Sequence, residues 1–196
     1  MSTEKNSAER ATKDSPLKDA EPRANLSPQS ELQSNVAFDC GWGRLLFGQT
    51  FASASDLADC LRAEGPGRRD IAFYILDPHV VLAAAPQELF LDPSHTYRLD
   101  FKKYEPAKTA PPGFHIRRLD SLQDAEEINR IYAARRMVTV APNFFWENRD
   151  SEAITYFVAV EDKTNTIIGT VTGVDHNAAF GDPEKGSSLW CLAVDT

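Results

Sequence analysis

The tightest constraint on the fold sits in residues 187–196, SSLWCLAVDT, where the apolar run 189–194 is followed only by Asp195 and Thr196. The run reads as a strand, and a buried strand needs neighbours on both sides to satisfy its backbone donors and acceptors. No turn, helix or closing strand comes after it. The expectation is therefore a truncated domain whose sheet is unfinished, with a terminal edge strand as the alternative.

At 196 residues, one or two domains with a sizeable core are expected. The net charge of −8 argues against a nucleic-acid partner, because phosphate binding rests on an excess of Lys and Arg. The pairs Arg117-Arg118 and Arg135-Arg136 read either as local basic patches or as solvated faces. Cys40, Cys60 and Cys191 form no CxxC pair, which fits a reducing compartment without disulfides or a zinc site. His79, His95, His115 and His176 show no HxxxH or HExxH spacing, so no metal is expected. No apolar stretch reaches the roughly 18 residues of a membrane span, and the start lacks the apolar core of a secretion signal. The sequence thus predicts a cytoplasmic protein with no membrane partner.

Residues 1–35 are rich in Ser, Lys, Glu, Asp, Ala and Pro and carry too little apolar surface to offset ordering entropy, so a disordered tail is predicted. Residues 36–104 form a small α+β unit. Residues 42–51 (WGRLLFGQTF) read as a strand. Ser55-Asp56 cap a helix with Leu57, Cys60 and Leu61 on one face, stopped by Gly65-Pro66-Gly67. Runs 71–76 and 80–85 around Asp77-Pro78-His79 read as a hairpin, and 97–101 as a further strand. Residues 105–113 (EPAKTAPPG) are a Pro-rich linker.

From residue 114 the pattern is clearer. Residues 114–119 alternate as a strand. Ser121 with Asp124 opens a helix running to about Met137, with Leu122, Ala125, Ile128 and Ile131 or Tyr132 at helical spacing. Pro142 breaks the chain, and 143–149 (NFFWENR) read as a second short helix. Strands are predicted at 155–160 and 167–174 around the turn 162–165, and then at 189–194 after a polar loop, 175–186. No Walker or GxGxxG loop is present.

This order, together with TIIGTVTG at 166–173 and LAVD at 192–195, resembles the first half of the GNAT acetyltransferase fold. Upstream, GRLLFGQTF at 43–51, RDIAFYILDPHVVLA at 69–83 and PQELFLDPSHTYRL at 86–99 resemble the leader region of N-acetylglutaminylglutamine synthetases. In those bacterial proteins an acetyltransferase region precedes an ATP-grasp ligase region, and the product is an osmoprotectant. The resemblance implies an α+β fold: a GNAT-like mixed sheet with flanking helices over 114–196, incomplete after its fourth strand. It also implies acetyl-coenzyme A as cofactor and glutamine or a glutamine-like amine as acceptor. The pyrophosphate-binding Gln/Arg-x-x-Gly-x-Gly/Ala loop would follow Thr196, so the chain is expected to be inactive alone.

Carried over residue by residue, backbone groups of Leu192, Ala193 and Val194 would pair with pantetheine. The fourth strand offers no carboxylate as base, which leaves Asp175 and His176 as the nearest titratable pair, with His176 equally readable as a solvated loop residue. The segment between the two helices would frame the acceptor through Arg135, Arg136, Asn143 and Trp146, an arginine fork suiting an α-carboxylate. Alternatively, the aromatic residues there are packing anchors. A reading from another class remains: a non-catalytic binding module with a degenerate GNAT-like fold.

Overall fold

Two sheets carry the structure, which as a computed structural model describes residues 33–195. The predicted tail before residue 33, and Thr196, lie outside the described residues. The first sheet has the order β1 (Ala37–Asp39), β2 (Arg44–Phe47), β3 (Ile71–Phe73), with β1 antiparallel and β3 parallel to β2. The predicted strand 42–51 is thus shorter: a 3-10 turn over Gly48–Thr50 ends it. Gly43 is where β2 meets the loop before β3. A Cβ there would lie 1.7 Å from the Arg69 carbonyl, so only glycine admits this approach. One residue on, the Arg44 guanidinium bonds Asp70 from Nε (2.9 Å) and Nη2 (2.6 Å), and Nη2 also reaches the Cys60 carbonyl at 2.8 Å.

Helix α1 (Ala54–Arg62) crosses from β2 to β3, with Leu57 and Ala58 buried. Its cap is Ser53, whose hydroxyl accepts from the Asp56 amide at 3.1 Å, in place of the predicted Ser55-Asp56. The predicted hairpin is not formed. Residues after β3 fold as helix α2 (Pro78–Ala84), because Pro78 stands in the first turn, where its missing N–H is no loss, and Leu82, Ala83 and Ala84 favour helix. Val81 packs with Leu46 and Leu57 in a satellite core. The strand predicted over 97–101 is also absent: Tyr97 and Phe101 are exposed and outside regular structure.

The second sheet is antiparallel throughout, in the order β4 (Phe114–Arg118), β5 (Ile154–Glu161), β6 (Ile167–Asp175), β7 (Ser187–Val194). Between β4 and β5 lie α3 (Leu122–Ala134) and α4 (Pro142–Glu147). The Ser121 hydroxyl caps α3 by accepting from the Asp124 amide at 3.1 Å. The Asp124 carboxylate accepts from the Asp120 amide (2.9 Å) and from both Nη atoms of Arg117 (2.6 and 2.9 Å). Burial alone would raise Asp124. The Arg117 and Asp120 donors outweigh it and hold the carboxyl below its ordinary range.

Leu122 is exposed, so the buried stripe of α3 begins at Ala125 and continues through Ile128, Ile131 and Tyr132. The helix stops at Ala134, short of Met137, because Arg136 turns left-handed (φ 57°) and the Met137 amide bonds back to the Tyr132 carbonyl at 2.9 Å. The Asn129 side chain exchanges two bonds with the Val140 backbone (2.6 and 2.9 Å), fixing the chain between the helices. Pro142 does not merely break the chain. It occupies the first turn of α4.

The inner face of the second sheet, including Ile154, Tyr156, Val158 and Val160, packs on α3 and on Phe145 of α4. The same cluster takes in Leu45 and Phe47 of the first sheet and Cys40 and Trp42 of its β1–β2 connection, so both sheets share one core. The fold class is α+β. Among the described residues no helix is long and apolar enough to cross a membrane.

Candidate functional site

The edge of β7 and the β6–β7 junction gather the groups with chemistry to offer. β7 pairs with β6 on one side, and among the described residues no strand lies on the other. The ladder slips in the middle: Thr170 faces Ala193, whereas Thr172 faces Trp190. Cys191 and Leu192 together therefore stand opposite Val171 as a β-bulge, with Cys191 at a left-handed φ of 52°.

The bulge decides which backbone groups meet solvent. The Asp195 amide donates to the Ile168 carbonyl at 2.8 Å, and the His176 amide to the Gly186 carbonyl at 3.0 Å. Alternate residues of an antiparallel ladder turn the same way. Ala193, two residues before Asp195, therefore turns its amide and carbonyl toward β6. Ser188 and Trp190 do the same, by their spacing from Gly186. Leu189 and Val194 turn theirs to the open edge. Of the three backbone positions predicted for a cofactor, Ala193 is thus committed to the sheet and Val194 faces out.

Arg135 is also placed by this edge. Its Nε donates to the Val194 carbonyl at 2.7 Å and its Nη2 to the Asp195 carbonyl at 3.0 Å, while Arg130 Nη2 meets the Asp195 carboxylate at 2.8 Å. The guanidinium predicted to clamp an acceptor carboxylate braces the end of β7. Arg136 is exposed at the left-handed end of α3. Asn143 is exposed in the first turn of α4, and half-buried Trp146 lies under the Arg149 guanidinium, 4.2 Å from its ring centre. Phe145, between them, is a fully buried anchor.

His176 is not the solvated loop residue of one sequence reading. It opens a short helix, α5 (His176–Phe180), within the loop, and is only 3% exposed. Its ring sits among Phe47 (5.0 Å between centres), Phe180 (5.8 Å), Tyr74 (6.1 Å) and Phe73 (6.3 Å). Asp175 does not pair with it. The Asp175 carboxylate caps α5 by accepting from the Ala178 amide at 2.9 Å.

The partners of His176 are Ser188 and Asp182. Nε2 lies 2.8 Å from Ser188 Oγ, which also accepts from Trp190 Nε1 at 2.6 Å. Nδ1 lies 3.9 Å from Asp182 Oδ2, the oxygen that accepts from the Gly186 amide at 2.9 Å. Gly186 makes room for this: a Cβ there would come within 3.2 Å of Nδ1 and 3.1 Å of Asp182 Oδ2. Burial pushes the imidazole below its ordinary pKa, with Asp182 and Asp175 opposing, so the ring is neutral near pH 7. A neutral ring with Nδ1–H toward Asp182 presents Nε2 as acceptor for the Ser188 hydroxyl.

Sequence reasoning passed over Ser188 and Asp182. One signal was available: a β6–β7 connection folded back on itself brings residue 176 beside 186, and strand alternation then puts Ser188 and Trp190 on the inner face.

Two cavities flank β7. One of about 180 Å³ is lined by Glu152, Thr155, Asp175, Ser187 and Leu189 among others. The other, about 340 Å³ and apolar, lies on the outer sheet face over Ile116, Phe157, Ile168, Leu192 and Val194. Burial pushes the Cys191 thiol up to about 11 and Cys40 higher, so neither is a thiolate near neutrality. Among the described residues no group of three or more His, Cys, Asp or Glu is arranged to hold a metal. No protein-family model matches the chain, and no curated protein matches it either.

Proposed function

We propose that residues 114–195 serve as an acetyl-coenzyme A-dependent N-acetyltransferase region with a glutamine-like amine as acceptor, in the making of an N-acetylglutaminylglutamine-type osmoprotectant. The observation that carries this reading is the bulged, one-sided edge of β7, which stands where the resemblance to GNAT proteins puts the pantetheine-binding strand. The strand order leading to it, with two helices between β4 and β5, supports the same reading. Bound acetyl-coenzyme A would supply the activated acetyl group. Leu189, through its edge-facing amide and carbonyl, and Val194, through its amide, would hold it, and Leu192, at the bulge, would shape its path. Arg135 keeps the far end of the strand in place by occupying the Val194 carbonyl.

A second reading, a non-catalytic module of the same fold, draws on the absence of any carboxylate side chain within β7. One experiment separates them. Acetyl-coenzyme A titrated into isotope-labelled protein should shift the amide signals of Leu189, Leu192 and Val194, and a fusion that appends a GNAT pyrophosphate-binding segment should convert glutamine to N-acetylglutamine. Unmoved β7 amides at millimolar acetyl-coenzyme A would sink the acetyltransferase reading. Shifts without product would favour the module.

A further inference from the structure

We infer that Ser188, His176 and Asp182 form a second reactive centre, in which Ser188 is a nucleophile toward esters or thioesters; this goes beyond the acetyltransferase reading and does not rest on it. The three side chains stand in the order hydroxyl, imidazole, carboxylate, with the hydroxyl 2.8 Å from Nε2 and the carboxylate 3.9 Å from Nδ1. An activated serine requires this order: a neutral base in hydrogen-bond reach and a third group that orients the base. Contacts of this kind are often looser before substrate binds, and at 3.9 Å the carboxylate faces Nδ1 just outside hydrogen-bond reach.

Several details go beyond what a satisfied core histidine needs. Asp182 is itself held by the Gly186 amide, so the carboxylate is aimed. Gly186 has no side chain to separate it from the ring. Trp190 Nε1 donates to Ser188 Oγ and so fixes the orientation of the hydroxyl, leaving its proton for His176 Nε2. Ser188 is half-buried on an edge strand. The next residue, Leu189, turns its amide to the open side, where it can receive the oxyanion of an attacked carbonyl.

In the step itself, Ser188 Oγ bonds to the carbonyl carbon while the hydroxyl proton passes to His176 Nε2. The carbon–oxygen or carbon–sulfur bond to the leaving group then breaks, and the proton on Nε2 goes to the departing alkoxide or thiolate. Water, deprotonated by the same nitrogen, releases the carboxylic acid and restores the hydroxyl. No metal or redox partner enters the balance.

The test uses a fluorophosphonate probe on the full chain, read by mass spectrometry. Its phosphorus bonds to Oγ, and fluoride leaves with the proton. Label should appear at Ser188, vanish in Ser188→Ala and persist in Ser187→Ala, whose hydroxyl is one residue away on the other face. His176→Gln should slow labelling by roughly 100-fold or more, and Asp182→Asn by less. Should His176→Gln fail to fold, the wild-type pH profile still decides. A histidine-activated serine gives a rate that rises through a midpoint below the ordinary imidazole value and is flat above pH 7. A serine without a base gives a rate climbing tenfold per pH unit throughout. No label on Ser188, equal label on Ser187, or the hydroxide-like climb would each overturn the assignment.

Discussion

The two faces of the β4–β7 sheet carry similar residues and meet opposite fates. On the inner face Val158, Val160 and Val174 are fully covered by α3, α4 and the first sheet. On the outer face Leu192 is 75% exposed, Leu189 72% and Ile116 64%, and Leu192 and Ile116 line an apolar cavity. What separates the faces is where the covering elements go. Both helices of the β4–β5 connection lie on one side, and no described element crosses to the other. Apolar character in these strands therefore reports burial on one face and an uncovered surface on the other, and only the inner face contributes fully to stability.

The largest expected break in this symmetry is in the core. Phe145→Ala should cost about 3–5 kcal/mol, whereas Leu192→Ala, with most of its side chain in water, should stay within about 0.5 kcal/mol. Urea unfolding of both variants checks this, and equal losses would mean that the outer face is covered in solution.

A smaller effect should come from pH. The His176 pKa is lowered on folding, so the unfolded chain takes up the proton first as pH falls below about 7. Stability should therefore drop from pH 7 downward and level off once the folded ring is protonated too. A melting temperature unchanged between pH 7 and 5 would contradict the buried neutral ring. The smallest effect on stability belongs to the outer face. Replacing Leu189, Leu192 and Val194 together by Ser should change unfolding free energy little while reducing self-association, because an exposed apolar edge strand is a template for other chains. Sedimentation at rising concentration would show it, and a wild-type chain that stays monomeric throughout would remove the premise.

The four strands of the second sheet and its two helices were legible because period-2 and period-3.6 patterns are strong there: β5 alternates inner and outer residues along its whole length. The first unit was harder. Residues 80–85 are apolar enough for a strand, and only Pro78 at a helical first turn with the alanines behind it signals α2. The site was partly hidden for a different reason. The bulge at Cys191 resets alternation, so Leu189, Leu192 and Val194 share a face despite unequal spacing, and no residue type there announces it. His176 was visible as a titratable group, but its burial depends on Phe47 and Phe73, distant in sequence, and sequence periodicity cannot see such contacts.

The core shared by the two sheets also bears on synthesis. Trp42 and Phe47 leave the ribosome well before Tyr132, Val158 and Phe180, which share their core, and Phe180 packs directly on Phe47 with 4.2 Å between ring centres. The first sheet cannot seal itself while translation continues, so nascent chains present an aromatic patch until most of the protein has been made. A stall in the middle of the message would therefore leave an aggregation-prone product rather than a folded first half.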